Sequence, residues 1–256
     1  MKTSRVLEGM TQRIFNEDCV SGAKRHLLDN SIDLIVTDPP YGINGDSLDK
    51  HYNREERNVI KGYVEVPTKD YASFSEDWTK EAFRVLRPNG CMYVVSGWTR
   101  LKDILVSLDS AGFTTVNHLI WNYSFGVYTS RKFVTSHYHI LFVCKTARGK
   151  DKKTFPFIFN TDANISGVDT TASYHNRQDV FKLSRSHKPG ELKNRNQLPD
   201  ELVKRLIRFS SNPGDAVCDF FLGGFTTAFA ARELERVCWG FEVNKNAYDY
   251  FRRRLR

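Results

Sequence analysis

The sequence predicts an α/β fold built on a mostly parallel sheet with helices on both faces. Short apolar runs at 32–36, 92–95, 216–221 and 237–241 alternate with segments of helical period, the order that crossover helices between parallel strands require. Several of these runs end in loops of Asp, Pro, Gly and aromatic residues. In open sheets of this kind ligands sit outside the carboxyl ends of the strands.

The elements follow from local chemistry. Ile32-Asp33-Leu34-Ile35-Val36 is a buried strand that runs into Asp38-Pro39-Pro40-Tyr41, where two prolines stop both ladder and helix. Residues 76–86 form a helix with Trp78, Ala82, Phe83, Val85 and Leu86 on its apolar positions, closed by Arg87-Pro88-Asn89-Gly90 ahead of strand 92–95. A second helix spans 101–108 and ends near Gly112, and strands at 116–123 and 138–144 follow. Residues 45–68 and 148–195 are polar and lack sustained periodicity, so both are expected to be insertions. Leu202, Val203, Leu206 and Ile207 make one face of a helix beginning at Pro199 and stopping at Ser211-Asn212-Pro213-Gly214. Strand 216–221, loop 222–225, helix 226–234, strand 237–241 and helix 247–255 complete the chain.

With 256 residues and 40% hydrophobic content the chain supports one sizeable core. The organisation expected is a first catalytic part at 1–147, an insertion at 148–195 and a second part of the same domain at 196–256. The five cysteines lie apart without a CxxC pair, which argues against a zinc knuckle or disulfide framework and for reduced thiols. No metal site is expected. Residues 1–10 hold no apolar signal core, and no run approaches the roughly 18 apolar residues of a membrane span, so a cytoplasmic protein without membrane association is expected.

A net charge of +8 favours a polyanionic partner, because neutralising phosphates releases counterions. A solvated basic surface explains the same number equally well. The charges cluster: Lys145, Arg148, Lys150, Lys152 and Lys153 surround Asp151, and the chain ends Arg252-Arg253-Arg254-Leu255-Arg256. The five cations from Lys145 to Lys153 are the candidate nucleic-acid contacts.

Asp38-Pro39-Pro40-Tyr41 is the first candidate site. A carboxylate beside a proline carbonyl offers two acceptors for one amino group, and the adjoining ring can stack on an extruded base. The alternative is a Pro-rich turn with an Asx cap. In the second site Asp219, Gly223 and Gly224 lie between strand and helix, and Glu242 closes the next strand, at the spacing where dinucleotide folds place a ribose-binding acid. A tight turn is the alternative here. No intact G-x-G-x-x-G and no Walker lysine is present, so an adenosine ligand without phosphates fits better than NAD or ATP.

Over nearly its whole length the chain resembles the β-class amino methyltransferases of DNA, in which the catalytic motif precedes the donor-binding motif. The resemblance rests on Asn16-Glu17-Asp18-Cys19, residues 30–42 through Asp-Pro-Pro-Tyr-Gly, Arg84–Gly90, Ser210–Asp215 and Gly240-Phe241-Glu242-Val243-Asn244. It implies a Rossmann-like S-adenosylmethionine-dependent methyltransferase sheet with an inserted target-recognition region. It further implies methylation of adenine N6 in double-stranded DNA, with base flipping, in a bacterial or phage setting. A homodimer is expected on the same ground, and no cognate endonuclease is indicated. Asp38, Pro39, Pro40 and Tyr41 would form the amino-group site. Asp219 and Gly223 would line the methionine part of the donor, Glu242 would bind the ribose hydroxyls, Asp18 and Cys19 would lie by the adenine, and Phe221 and Asn244 would also contact the donor. Asn196-Gln197-Leu198-Pro199 stands where the family has a Thr-Gln-Lys-Pro-like string at the donor carboxylate, with Leu198 in place of lysine. Trp121-Asn122-Tyr123-Ser124 is similar to a family segment near the target base.

Phe225 replaces the second glycine of the family's donor loop, and restricted backbone approach is expected there. A cytosine-N4 enzyme, which usually carries Ser at the Asp38 position, and a catalytically weak DNA-binding module are the competing readings. A nicotinamide oxidoreductase lacks its fingerprint. No cysteine is assigned as nucleophile, since no Pro-Cys loop of the cytosine-C5 kind is present. His137 and His139 share one side of a strand and could touch metal or DNA, although packing is the commoner role for such a pair.

Overall fold

The computed structural model describes residues 12–42, 60–62, 65–123, 126, 128, 130–146, 157–160, 177–184 and 197–255. In chain order these form β1 (Arg13–Phe15), α1 (Cys19–His26), β2 (Ile32–Thr37), α2 (Tyr71–Val85), β3 (Leu86–Ser96), α3 (Leu101–Ala111), β4 (Thr114–Asn122) and β5 (His137–Cys144). There follow β6 (Val180–Lys182), α4 (Asp200–Ser210), β7 (Ala216–Asp219), α5 (Thr226–Glu233), β8 (Val237–Phe241) and α6 (Lys245–Arg254). One eight-stranded sheet runs β1-β8-β7-β2-β3-β5-β4-β6. Among the described strands only β5 opposes the direction of the others.

β2 is central and buried on both faces, which explains its near-continuous apolar sequence. On one side of the sheet Leu34, Val36, Tyr93 and Val95 pack with Leu202, Leu206, Ala228 and Phe251, under α4, α5 and α6. On the other side Ile35, Met92 and Val94 meet Ala23, Trp78, Ala82 and Ile104, under α1, α2 and α3. Each large apolar side chain so buried contributes about 1.5–3 kcal/mol relative to exposure.

Helix ends carry the signals expected of them. Asp18 Oδ1 accepts from the backbone N–H groups of Val20 (3.1 Å) and Ser21 (3.0 Å), capping α1. Gly112 ends α3 at φ 99°.

Several boundaries shift by a few residues, and three departures from the sequence expectation go further. α2 starts at Tyr71 because a 3₁₀ turn at Thr68–Asp70 leads into it. Residues 87–90 do not lie outside the strand but form an irregularity inside β3: pairing steps from Ile32↔Leu86 to Leu34↔Cys91, with Asn89 at φ 64°. The segment 148–195 also contributes to the sheet. β6 pairs with β4, and the Trp121 indole donates to the Leu183 carbonyl (2.9 Å). Asn160 Nδ2 donates to the carbonyls of Arg208 and Ser211 at the end of α4. Among the described residues no helix is long and apolar enough to cross a membrane.

Candidate active site

β2 connects through α2 to β3 on one side of it, whereas β7, its other neighbour, connects through α5 to β8. The crevice outside the carboxyl ends of β2 and β7 is therefore a topological switch point, the place where such sheets bind ligands. Both candidate loops open there. A cavity of about 330 Å³ is lined by Asp38, Pro39, Pro40 and Tyr41 after β2 and by Asp219, Phe221, Gly223 and Gly224 after β7. Asp18, Cys19, Gln197, Glu242 and Asn244 close it.

The two loops are tied at their roots. Thr37 Oγ1 donates to Asp219 Oδ1 (2.9 Å), which also accepts from the Phe221 N–H (3.0 Å). Burial pushes the Asp219 carboxyl up to about 6, partly offset by these bonds and one from Thr227. Glu242 accepts from the Gly223 N–H through Oε2 and from the Asn244 N–H through Oε1, both at 2.7 Å, and burial pushes it up to about 7. Two desolvated carboxylates in one cavity favour a ligand that brings positive charge and hydroxyl donors. Cys19 is buried, which raises its thiol pKa well above the ordinary value, so it contributes apolar surface rather than a nucleophile.

Glycine at position 224 has a steric cause: a Cβ there would lie 2.7 Å from Gln197 Cδ. Phe225 adopts the left-handed conformation (φ 59°) that a glycine would otherwise supply. Its ring is fully buried, stacked on Phe251 with centroids 5.6 Å apart. It does not line the cavity. The expected restriction of backbone approach is therefore corrected: the side chain points into the core and the loop keeps its turn.

The Asp38–Tyr41 loop is latched from outside. Tyr71 Oη donates to the Pro40 carbonyl (2.7 Å), and Glu65 Oε1 accepts from the Gly42 N–H (2.8 Å). Thr68 Oγ1 (3.2 Å) and Arg100 Nε (3.4 Å) donate to the Gly42 carbonyl. Gly42 sits at φ 62°, and a Cβ there would meet the Tyr71 ring at 2.5 Å. Tyr41 is buried against Tyr138, with centroids 5.5 Å apart.

Two known relatives span most of this chain. The Type II methyltransferase M.HpaI of Haemophilus parainfluenzae is 30% identical over 260 residues, covering 96% of this chain and 74% of its own. M.HinfI of Haemophilus influenzae is 27% identical over 253 residues, covering 95% and 68%. The family model for N6/N4 methyltransferases, described as DNA methylase, matches residues 32–253. The chain belongs to this DNA methylase family.

Solved structures share the methylase's fold. M1.HpyAVI in complex with S-adenosylmethionine superposes with a TM-score of 0.63 at 22% identity, covering 96% of this chain and 100% of that one. The cytosine-N4-specific PvuII DNA methyltransferase gives 0.68 at 16% identity, covering 91% and 83%.

Other sequence-predicted residues of the methylase take further or different places. Asn244 Oδ1 caps α6, accepting from the Asn246 N–H (3.0 Å). Pro199 does not line the cavity; it begins α4, and Leu198 faces the cavity instead. Lys145, expected among the phosphate contacts, is engaged within the fold. Its ammonium donates to Asn30 Oδ1 (2.8 Å) and to the carbonyls of Phe83 (2.6 Å) and Leu86 (2.8 Å), at the end of α2. It lies beside the start of β3, at the sheet edge opposite Asp38. Arg148, Lys150, Lys152, Lys153 and Asn196 lie outside the described residues. His139 Nδ1 is 2.8 Å from His118 Nε2, and burial together with its histidine neighbours holds it down at about 4.

Sequence reasoning missed Phe74, Val66 and Phe241, which also line the cavity, and the latch residues Glu65, Tyr71 and Arg100. Phe74 packs against Phe221 (5.7 Å) from the second turn of α2. Its helical spacing from Trp78 gave no signal beyond core packing.

Proposed function

We propose that this methylase transfers a methyl group from S-adenosylmethionine to N6 of an adenine everted from double-stranded DNA. The observation that carries the reading is the shared cavity, onto which the Asp38 loop and the Asp219–Gly223 loop both open. The donor supplies an electrophilic sulfonium methyl. Asp219 and Glu242 provide buried carboxylates for its cationic part and ribose hydroxyls. Gly223 and Gly224 allow close backbone approach, and Phe221, Phe241 and Cys19 provide apolar walls.

At the acceptor, the adenine amino nitrogen is a poor nucleophile because its lone pair is conjugated with the ring. Asp38 and the Pro39 carbonyl each accept one amino hydrogen, which favours pyramidal nitrogen and frees the lone pair. Tyr41 stacks on the base and offsets part of the unstacking cost. As the nitrogen gains its methyl group it loses one proton, which the Asp38 carboxylate accepts. Preorganised acceptors and positioning carry the step, with no covalent enzyme intermediate. Asp38 rather than Ser at the head of the loop supports adenine N6 over cytosine N4. The segment 148–195 supplies target recognition, with Arg148, Lys150, Lys152 and Lys153 on phosphates. The Type II designation of the relatives supports a restriction–modification setting.

The test is incubation of plasmid DNA with methyl-labelled donor, digestion to nucleosides and chromatographic separation. Label in N6-methyladenine is expected. Label in N4-methylcytosine overturns the base assignment, and label in neither overturns the enzymatic reading.

A further inference from the structure

The connection between β4 and β5 leaves the sheet at the same edge as the catalytic loop, because β4 runs parallel to β2 and β3 and β5 returns against them. Its neck is firmly built. The Tyr123 N–H donates to the Ser136 carbonyl (2.9 Å), as does Asn122 Nδ2 (3.1 Å). A Cβ at Gly126 would overlap the Thr135 carbonyl and the Val134 side chain, so the two arms touch backbone to backbone. Tyr123 and Tyr138 pack at this neck (5.6 Å), and Tyr138 continues to Tyr41 (5.5 Å). A continuous set of rings thus joins the neck to the ring assigned to the everted base.

Beyond the neck the chemistry changes. Phe133 is 98% exposed and follows Arg131 and Lys132, both also exposed. Among the described residues Phe133, like Tyr128 in the same connection, buries almost no surface and costs apolar hydration, so a partner outside the chain accounts for it best. Two cations beside an unburied ring, on the rim of a cleft that takes DNA, match a polyanion with a stack of aromatic faces.

We infer that Phe133 is a duplex wedge: its ring enters the base stack where the target base has left, while Arg131 and Lys132 hold the adjacent phosphates. The ring carries no hydrogen-bonding code, so it stabilises the opened duplex without reading sequence. The inference rests on the reading that the target base leaves the duplex.

The test uses a duplex carrying the site mapped by sequencing of methylated DNA, in two forms: fully paired, and with an abasic position opposite the target. Removing the partner base lowers the cost of eversion and with it the need for a wedge. Single-turnover transfer at saturating donor should fall about tenfold or more in Phe133→Ala on the paired duplex. It should return to within about twofold of the unaltered protein on the abasic duplex, and Phe133→Trp should keep its rate on both. A Phe133→Ala rate equal to that of the unaltered protein on the paired duplex overturns the wedge. So does an equal loss on both duplexes, which would mark a general binding contact. Failure of the unaltered protein to methylate either duplex counts instead against the functional reading. The exposure of Phe133 makes misfolding of the variants easy to exclude by a thermal melt.

Discussion

Thr37 and Asp219 meet across 2.9 Å at the roots of the two loops that the reaction must align. Thr37 ends the strand that leads to the proposed acceptor site, and Asp219 ends the strand that leads to the proposed donor site. Thr37→Val removes the hydroxyl that favours the ionised form of a buried carboxylate. The Asp219 pKa should rise further, and donor affinity should fall by about 1.5–3 kcal/mol, the scale of a hydrogen bond to a charged group. Calorimetric titration with S-adenosylmethionine measures the loss, and unchanged affinity would remove Thr37 from the site.

Asp38→Ala deletes one amino-group acceptor and leaves the donor loop intact. Methyl transfer should fall by roughly 10²-fold or more, as for loss of a preorganised polar contact. Donor binding should survive, and DNA binding should hold or tighten because a carboxylate in the cleft repels phosphates. Single-turnover kinetics beside separate binding titrations distinguish these outcomes; wild-type transfer by a folded Asp38→Ala protein would reduce Asp-Pro-Pro-Tyr to a turn.

Glu242 titrates where it can be tested. Its folded-state pKa, held up at about 7 by burial, exceeds the ordinary value of 4.5. Its contribution to the stability of the donor-free fold is therefore fully present below 4.5 and is lost as pH rises through about 7. Asp219, raised from 3.8 to about 6, acts in the same direction. Donor affinity should run the opposite way, rising through about 7 as Glu242 becomes an acceptor for ribose hydroxyls. Glu242→Gln should flatten that profile, and Glu242→Ala should weaken donor binding by about 1.5–3 kcal/mol with DNA affinity unchanged. A pH-independent affinity in the unaltered protein would contradict the ribose assignment.

Tyr71→Phe tests the latch on the catalytic loop. Losing the bond to the Pro40 carbonyl should cost about 0.5–1.5 kcal/mol of stability. It should lower kcat severalfold while leaving KM for the donor unchanged, since Tyr71 does not line the cavity. A purely structural role would lower the melting temperature without changing kcat.

The basic cluster divides into two tests. Replacing Lys150, Lys152 and Lys153 with Gln should weaken DNA binding and flatten its logarithmic salt dependence by about 0.9 for each phosphate no longer neutralised. Lys145→Met should leave the salt slope unchanged and destabilise the fold, because it strips a cap from the carbonyls ending α2. A flattened slope in Lys145→Met would restore it to the DNA surface.

Lys145 shows what a sequence carries. A charge run records sign and spacing but not the carbonyls waiting at a helix end 59 residues earlier in the chain, such as that of Leu86. The central strands were legible because burial on both faces enforces apolar runs, and the loops after them because Asp, Pro and Gly have positional meaning. β6 was not, since a three-residue edge strand needs little pattern of its own and is held by Phe181 beneath Arg205 and by the Trp121–Leu183 bond. The latch around Gly42 was also hidden, because Glu65, Tyr71 and Arg100 converge on it only in three dimensions. Phe225 misled for a related reason: the sequence shows the larger residue but not the direction in which it points.

That direction has a mechanical consequence. A glycine at this turn would be free to relax, whereas Phe225 pins the donor loop to α6 through its contacts with Tyr248 and Phe251. Holding a non-glycine residue left-handed costs about 1–3 kcal/mol, and burial of the ring opposes that cost. The loop and α6 are therefore expected to move as one body. Fraying of α6 should then be felt at the floor of the cavity, and a ligand that stills the loop should slow amide exchange along α6, which hydrogen-exchange measurements would register.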